Sequence, residues 1–324
     1  YDEAFDDKNI NVVKKTINYN PAFVKLFDEA IVNASDQAIR TAKSRNNVKV
    51  IKINIDSEKI SIENDGDSIP IEIHPEENVY NAELIFSNLL TGQNFDDTEE
   101  RTVGGKNGMG VKLVNIFSTK FIVDTCDGKK KYKQIVKNNM QDIGKPTVKD
   151  VESGTKSYTK ITYYPDVKRF GLDEIDNDSM SLMIKRCLDI AVYNPKVRVI
   201  VNGKTIPVKT VKDYMLMHLP EGEEFFYEKL DNGWEVGIAK SQTEQFEQVS
   251  LVNGINTYLG GTHVNYLSLQ VAKDVTDKFK RGTSATWADV KNRLFMFVIS
   301  AVPNPEFNTQ TKETLTKYIS ADIH

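Results

Sequence analysis

The sequence predicts an α+β protein of two domains. Its 324 residues exceed the size of one usual hydrophobic core, and they suit two domains of roughly 100–200 residues each. Apolar residues recur at helical spacing in some segments and alternate with polar residues in others, so helices and strands share the chain. We place the boundary near residue 213, which gives domains of residues 1–213 and 214–324.

The first predicted helix and the hairpin after it have the clearest patterns. From Pro21 to Arg45 the apolar side chains recur every three or four residues, and the proline lies in the first turn, where a helix tolerates it. Residues 48–62 alternate with a period of two on either side of the polar turn Asp56–Lys59, which predicts a β-hairpin. A short helix is expected at 82–90, followed by a long polar loop at 91–106.

The remaining elements complete a mixed pattern. A second hairpin is predicted to turn at Asn202-Gly203, a pair typical of two-residue turns. The last strand, Arg293 to Val302, is expected to alternate between buried and exposed residues. Further helices are predicted at 110–117, 180–193 and 264–280, and further strands at 121–126, 131–136, 157–164, 234–239 and 248–252.

The composition excludes several classes of protein. With 40% hydrophobic and 27% charged residues, the chain is neither disordered nor collagen-like. The 42 basic and 46 acidic residues leave a net charge of −4, so no uniform basic field attracts nucleic acid and any DNA contact must be local. The longest nearly apolar run, 294–302, is shorter than the roughly 20 residues of a membrane helix, so no membrane partner is expected.

The cysteines indicate the redox compartment of the protein, and the first residue indicates whether the chain is part of a longer one. Cys126 and Cys187 are far apart and have no Cys or His partner at metal-binding spacing, which indicates a reducing compartment and no structural zinc. The chain begins at Tyr1 without a methionine or a signal-like region. We therefore expect it to be a piece of a longer protein.

A polar stripe runs along the first predicted helix. At 100° per residue, Glu29, Asn33 and Asp36 project within one narrow sector, away from the apolar face. A carboxylate there can align a water molecule while an amide oxygen four residues later binds Mg²⁺, a cation that prefers oxygen ligands. A solvated helix face explains the same pattern, and it is the commoner explanation for an isolated Glu-x-x-x-Asn.

Two further segments have the chemistry of a nucleotide site. Asn64-Asp65-Gly66 ends the second strand of the first hairpin, where an amide or a carboxylate can hydrogen-bond an adenine edge; an ordinary turn is the alternative. Gly104 to Gly110 holds four glycines in seven residues, so backbone N–H groups can approach phosphates, with Lys112 just inside the next helix. Its register fits neither a P-loop nor a dinucleotide fold, and a flexible loop before a core helix is the alternative.

Gln310 and Lys312 follow the last predicted strand. A lone lysine on a loop is usually solvated, so this pair gains meaning only from the other segments. The four histidines share no spacing typical of a metal site or a catalytic triad, and we interpret them as structural: His74, His218, His263 and His324.

Taken in order, the segments resemble the ATPase and transducer regions of eukaryotic-type DNA topoisomerase II. The resemblance runs from about Tyr1 to the end of the chain, and it is carried by DEAIVNASDQ, NDGDSIPIEIHPEENVY, VGGKNGMGVKLVNIFSTKF, VSLVNGINTYLGGTHVNYL and NPEFNTQTKETLT. These regions belong to the superfamily of gyrase, heat-shock chaperone, histidine-kinase and mismatch-repair ATPases. The resemblance implies a two-layer α/β sandwich (Bergerat fold), followed by a transducer domain of the ribosomal protein S5 domain 2-like type that is truncated at its C-terminal end.

The resemblance also implies a role for each matching residue. Glu29 matches the general base, Asn33 the Mg²⁺ ligand, and Lys312 a transducer residue that reaches the γ-phosphate of ATP, so Glu29 and Lys312 are expected to be catalytic. Nucleotide contacts are expected from Asn33, Asp36, Asn64, Gly92, Gln93, Asn94, Lys106, Asn107, Gly108, Met109, Gly110, Val111, Lys112, Gln310 and Lys312. The chain departs from the family pattern at Ser68, Gly92, Gln93, Lys106, Met109 and Val111, which bears on nucleotide and inhibitor preference.

The function implied is the ATP-hydrolysing N-gate of a type II topoisomerase. In that function, two copies dimerise on binding ATP and Mg²⁺, capture a double-stranded DNA segment for strand passage and so change DNA topology. Neither the swapped N-terminal arm nor the DNA-cleavage domain of the family is expected in this chain. The nucleus is the expected location, or a viral replication site if the source is a large DNA virus.

Three points stay open at this stage. Another ATPase of the superfamily, a chaperone or a mismatch-repair clamp, is the first alternative, and a non-catalytic nucleotide-gated dimerisation module is the second. The third is DNA contact. Basic residues concentrate in the second domain, where the family's DNA cavity would lie, although such residues are more often solvated: Lys273, Lys278, Lys280, Arg281, Lys291 and Arg293.

Overall fold

The computed structural model describes residues 12–13, 16–88, 109–279 and 285–319. These residues form two compact units, whose main boundary lies between Pro207 and Val208. The first unit comprises the described residues up to Pro207 apart from 12–13, which belong to the second. Each unit contains its own β-sheet.

The first unit joins helices to a nine-stranded sheet. Its helices are α1 (Pro21–Arg40), α2 (Asn81–Ser87), α3 (Gly110–Ile116) and α4 (Asn177–Tyr193), with a 3₁₀ turn at Val167–Phe170. Its strands are β1 (Val50–Ile55), β2 (Ile60–Asp65), β3 (Ser118–Cys126), β4 (Lys130–Lys137), β5 (Asp142–Ile143), β6 (Thr147–Asp150), β7 (Tyr158–Pro165), β8 (Arg198–Val201) and β9 (Lys204–Thr205).

The sheet of the first unit forms one layer of a two-layer sandwich. Its strand order is β5-β4-β3-β7-β2-β1-β8-β9, with β6 also paired to β4, and every pair is antiparallel except β1 with β8. Along β1, Ile51, Ile53 and Ile55 are buried while Lys52 and Asn54 are exposed, as expected for a sheet covered on one face. Helix α1 packs against β2, α3 and α4. The predicted α/β sandwich is therefore confirmed.

Both predicted hairpins are confirmed. Strands β1 and β2 pair with Ile53 opposite Ile62, so the period-two pattern continues across the turn. Strands β8 and β9 turn at Asn202 and Gly203, whose φ angles of 48° and 82° are both left-handed. A turn with two left-handed central residues matches the twist of a hairpin, which explains the Asn-Gly pair.

Helix α1 ends at Arg40, five residues before the predicted end at Arg45. Thr41 ends the helix: its N–H donates to the carbonyl of Gln37 at 3.0 Å, and its hydroxyl donates to the same carbonyl at 2.8 Å. That hydroxyl also accepts from the N–H of Val48 at 3.2 Å. A threonine side chain thus satisfies backbone groups at the turn toward β1, a local effect that apolar spacing does not encode.

The second unit joins helices to a five-stranded sheet. Its helices are α5 (Val211–Leu216), α6 (Thr262–Phe279) and α7 (Trp287–Lys291). Its strands are β10 (Phe225–Lys229), β11 (Glu235–Lys240), β12 (Glu247–Val252), β13 (Ile255–Asn256) and β14 (Leu294–Ser300), in the sheet order β10-β11-β14-β12-β13.

The prediction that the last strand alternates is wrong, because all seven residues of β14 are buried. The strand is central, antiparallel to β11 on one side and parallel to β12 on the other. On one face, Met296 and Val298 join the core that includes Leu267 of α6. On the other face, the ring of Phe297 lies 5.6 Å from that of His218, which follows α5. A strand that is covered on both faces has apolar residues along its whole length.

No helix in the described ranges is long and apolar enough to cross a membrane. Both cysteines are buried as free thiols.

Candidate functional site

Helix α1 positions the polar stripe. Its first turn is capped by Asn20, whose side-chain oxygen accepts from the N–H groups of Ala22 and Phe23 at 3.0 and 3.2 Å, and Pro21 occupies the first turn. These features fix where the helix begins. The apolar face of α1 is buried, and Glu29 and Asn33 lie on a different face of the helix.

The stripe is partly exposed and partly covered. Glu29 is partly buried, with 16% of its side chain exposed, whereas Asn33 is exposed. The Nδ2 of Asn33 donates to the main-chain carbonyl of Glu29 at 2.7 Å, which leaves the amide oxygen as the side-chain atom suited to a cation. Asp36 is buried. The pKa of the Tyr193 phenol is raised, mainly because the phenol is buried and secondly because the negative charge of Asp36 is close to it.

The carboxylate of Glu29 lies against the start of α3. A Cβ atom built on Gly110 would lie 2.0 Å from Oε2 of Glu29 and 2.9 Å from its carboxyl carbon. No side chain fits at residue 110 unless Glu29 moves. The structure therefore brings together the proposed base and the last glycine of the Gly104–Gly110 segment, which the sequence predicted separately.

Three charged residues around Glu29 were not predicted from the sequence. The Nζ of Lys25 lies 3.5 Å from Oε1 of Glu29 and 2.5 Å from Oδ2 of Asp28, and the Nε of Arg186 on α4 donates to Oδ1 of Asp28 at 2.5 Å. Burial acts to raise the pKa of Asp28, but Arg186 and Lys25 outweigh it and hold that pKa well below its usual range. The one-turn spacing of Lys25 and Glu29 is a signal that could have been found. The contact between Asp28 and Arg186 joins residues 158 positions apart, so no local pattern in the sequence indicates it.

Helix α3 buries a lysine. Lys112 is 2% exposed, and this burial lowers the pKa of its ammonium group. Val111 is also buried, whereas Met109, just before the helix, is 47% exposed. The Nδ2 of Asn115 donates to the carbonyl of Phe86 at 2.9 Å, which joins α3 to the end of α2.

The turn after β2 is held by its own side chains. Asn64 is buried, and its Nδ2 lies 3.2 Å from the carbonyl of Asp65. Oδ1 of Asp65 accepts from the N–H groups of Lys49 and Val50 at 2.7 and 2.8 Å. The carbonyl of Asp67 accepts from Nε2 of Gln37 on α1 at 2.7 Å. The aspartates therefore build the turn, and Asn64 stays the candidate for a base contact.

In the second unit, Gln310 is exposed and Lys312 is 8% exposed. Lys312 has a left-handed φ of 61°, a conformation that costs an L-residue roughly 1–2 kcal/mol. Its N–H donates to the carbonyl of Thr309 at 3.1 Å. A tight turn thus fixes the backbone at this lysine.

Several predicted site residues lie outside the described part of the chain: Gly92, Gln93, Asn94, Lys106, Asn107 and Gly108. Of the predicted basic patch, Lys280 and Arg281 also lie outside it. Lys273 and Lys278 are exposed on α6. Lys291 lies 4.9 Å from the ring centroid of Phe246, and Arg293 lies 3.8 Å from Glu244. Among the described residues, no group of three or more His, Cys, Asp or Glu side chains is placed to hold a metal ion.

Comparisons with known proteins agree on one family. Residues 197–323 match the DNA gyrase B family. The chain is 42% identical to a probable DNA topoisomerase 2 of Dictyostelium discoideum over 98% of its own length, but it spans only 21% of that relative. It superposes on the crystal structure of the ATPase region of Saccharomyces cerevisiae topoisomerase II with a TM-score of 0.88 and 40% identity, covering 97% of this chain and 82% of that one.

A second solved structure gives the same result. The ATPase and transducer domains of DNA topoisomerase II from Balamuthia mandrillaris match with a TM-score of 0.88 and 33% identity, covering 98% of this chain and 85% of that one.

Proposed function

Because the chain belongs to the type II DNA topoisomerase family and corresponds to its ATPase region, we propose that it binds and hydrolyses ATP to operate the N-gate of such an enzyme. The observation that carries this proposal is the placement of the Glu29 carboxylate against Gly110, at the point where the glycine segment enters α3. A base and a phosphate-binding segment must lie together if water is to attack a phosphate.

Glu29 is the proposed general base. Its carboxylate would accept the proton of the attacking water, and general base catalysis of this kind typically contributes a factor of about 10²–10⁴. The glycines up to Gly110 would hold the phosphates through their N–H groups, while Lys112 adds positive charge just inside α3. Asn64 would hydrogen-bond the adenine.

Asn33 is the proposed Mg²⁺ ligand. Its Nδ2 is occupied by the carbonyl of Glu29, so its amide oxygen is the atom left for a hard cation. When bound, Mg²⁺ would neutralise charge on the phosphate oxygens. We assign supporting nucleotide contacts to Asp36, Gly92, Gln93, Asn94, Lys106, Asn107, Gly108, Met109 and Val111 on the strength of the family match.

The second unit would respond to the nucleotide. Residues 1–213 are proposed as the ATPase domain and 214–324 as the transducer, with Gln310 and Lys312 reaching the γ-phosphate. If they contact ATP only in a closed dimer, ATP and ADP bind the open and closed states differently, and this difference drives the gate.

Double-stranded DNA, captured between two copies, is the proposed partner, and the nucleus is the proposed location. Lys273 and Lys278 are exposed on α6, where the exposed Asp274 and Asp277 balance their charge, so a phosphate contact would depend on the two lysine side chains individually. If they contact phosphates, DNA stimulation of the ATPase will weaken as salt rises, because counterions are released on binding. Stimulation that does not change between low and high salt in a phosphate-release assay would contradict this contact.

Phosphate release from ATP tests the proposed function. The parent chain should release phosphate with Mg²⁺ and stop when EDTA is added, and Glu29→Gln should lower kcat by at least about 100-fold with little change in nucleotide affinity. Glu63→Gln is the matched control, since Glu63 pairs with Lys52 at 3.0 Å on the hairpin. A Glu29→Gln rate equal to the parent's would refute the base assignment. Tight ATP binding without turnover by the parent would favour a non-catalytic module.

A further inference from the structure

Lys25 lies one helical turn before Glu29 and makes two ionic contacts. Its Nζ is 2.5 Å from Oδ2 of Asp28 and 3.5 Å from Oε1 of Glu29. Residues four apart lie on the same side of a helix, so the contact with Glu29 follows from the sequence spacing. All three side chains are mostly buried, with 20%, 14% and 16% exposed for Lys25, Asp28 and Glu29.

Asp28 is itself fixed from the far side. Its other oxygen, Oδ1, accepts from Nε of Arg186, a side chain only 7% exposed on α4. Arg186 also lies 3.6 Å from the fully buried carboxylate of Asp189. The result is a row of alternating charges that runs from the core of α4 through Asp28 and Lys25 to Glu29.

This arrangement differs from an ordinary surface pair. An exposed lysine and glutamate one turn apart contribute little to stability, because both side chains must give up rotamers to meet. Here Asp28, held by Arg186, already restricts the ammonium group of Lys25. Lys25 then loses less side-chain entropy when it contacts Glu29, so this contact can orient the carboxylate of Glu29.

The two oxygens of Glu29 therefore have different surroundings. Oε1 faces Lys25 at 3.5 Å, while Oε2 faces Gly110, where even a methyl group would be too close. A carboxylate held by one oxygen presents the other in one direction. That direction is toward the start of α3, where the glycine segment ends.

We propose that Lys25 is a positioning residue for hydrolysis, which holds Oε1 of Glu29 so that Oε2 is presented to the attacking water. This inference rests on the proposed function of Glu29 as the general base. Lys25 acts through Glu29, without contact to the nucleotide, so it affects the chemical step more than binding. A misplacement of about 1 Å at a reacting group can lower a rate by as much as about 100-fold.

The test compares Lys25→Met, which keeps the alkyl stem without the charge, with Lys25→Arg, which keeps the charge. For each variant we would measure kcat and KM for ATP·Mg²⁺ by phosphate release, the affinity for a non-hydrolysable ATP analogue, and the melting temperature. Lys52→Met is the control, since Lys52 forms a 3.0 Å pair with Glu63 on the exposed side of the hairpin. We expect Lys25→Met to lower kcat about tenfold, with KM and analogue affinity within about twofold of the parent. Lys25→Arg should restore most of kcat, and Lys52→Met should match the parent.

Two results would overturn the inference. One is a parent-like kcat for Lys25→Met. The other is a loss of kcat that is accompanied by equal losses of analogue affinity and melting temperature and is not restored by Lys25→Arg, since that pattern marks a structural role. Glu29→Gln in the same assay separates this inference from the proposed function. If Glu29→Gln is inactive while Lys25→Met is parent-like, only the role of Lys25 fails; if Glu29→Gln hydrolyses ATP normally, the proposed function itself fails.

Discussion

Glu29 lies between a lysine that holds one of its oxygens and a glycine that leaves room for the other. Lys25 comes from the same helix, whereas Gly110 comes from α3. The glycine therefore has two uses, since the segment before α3 is proposed to approach phosphates and its last residue must also admit a carboxylate. A residue without a side chain at the start of α3 meets both demands.

Gly110→Ala should disturb Glu29 directly. The added Cβ would lie 2.0 Å from Oε2, so either the carboxylate or the start of α3 must move, at a cost of about 1–3 kcal/mol for overpacking. In a Glu29→Ala background the clash with the carboxylate is absent and only the Cβ of residue 29, at 3.1 Å, stays close, so the same glycine substitution should then cost less. Denaturant unfolding of the two single variants and the double variant measures the coupling. Costs that simply add would show that the two residues do not interfere.

At the scale of single residues, the sequence predicts only the relative positions of residues that are close together in the chain. The spacing of Glu29 and Asn33 along α1 was enough to place them on one polar face, because helical periodicity is a property of neighbouring residues. The contacts of Glu29 with Gly110 and of Asp28 with Arg186 join distant segments. Only the packing of α1 against α3 and α4 brings these residues together, and no single-sequence pattern encodes that packing.

At the scale of elements, hairpins and amphipathic helices were predictable, and the central strand was predicted in the right place but with the wrong burial pattern. Strand β1 has one covered face, so its alternation shows in the sequence. Strand β14 has α6 on one face and His218 on the other, so its apolar run carries no period from which to deduce a face. The elements β5, β6 and α7, of two to five residues, are too short for periodicity to predict.

Helix α6 begins beside a buried histidine that should make the second unit sensitive to acid. His263 is fully buried, and its ring packs edge-on against that of Trp234 at 6.5 Å. Burial lowers the pKa of His263 from its ordinary 6.5 to about 4. The unfolded chain therefore binds a proton that the folded chain resists between these two pH values, so folding stability falls as pH drops from about 6.5 to about 4.

The size of the effect follows from the pKa shift. The difference between the ordinary value of 6.5 and the value of about 4 corresponds to roughly 3 kcal/mol, at about 1.36 kcal/mol per pH unit. Melting temperatures of the parent and of His263→Gln, recorded from pH 7.5 to pH 4, isolate the contribution, because carboxylates titrate equally in both proteins. The gap between the two curves should shrink or reverse as pH falls. A gap that stays constant across this range would show that His263 does not titrate with folding.

At the scale of the whole molecule, the two units have different proposed tasks. The first unit contains Glu29, Asn33 and Gly110, and the second contains Gln310 and Lys312. A nucleotide-driven gate needs contacts from two units, because a nucleotide can drive closure only if some of its contacts form in the closed state and are absent from the open state. The family match extends over both units, which supports a shared function.

Lys312→Ala should weaken nucleotide-driven dimerisation. Loss of a hydrogen bond to a charged phosphate is worth about 1.5–3 kcal/mol, so the concentration of a non-hydrolysable ATP analogue that gives half-maximal dimer should rise about tenfold or more. Alanine meets the same backbone penalty at the left-handed φ of 61° as lysine does, so the change tests the side chain. Lys229→Ala is the control, since Lys229 forms an exposed pair with Glu235 in the same unit. Equal light-scattering titrations of Lys312→Ala and the parent would argue against the γ-phosphate contact.

A single-turnover measurement on Glu29→Gln tests the central claim most directly. The variant and the parent are mixed with substoichiometric labelled ATP and Mg²⁺, and the ATP and ADP are separated after quenching at successive times. We expect both proteins to bind the nucleotide, and we expect the variant to convert it to ADP at least about 100-fold more slowly than the parent. Conversion at the parent rate would contradict the claim that Glu29 is the base that activates water in this site.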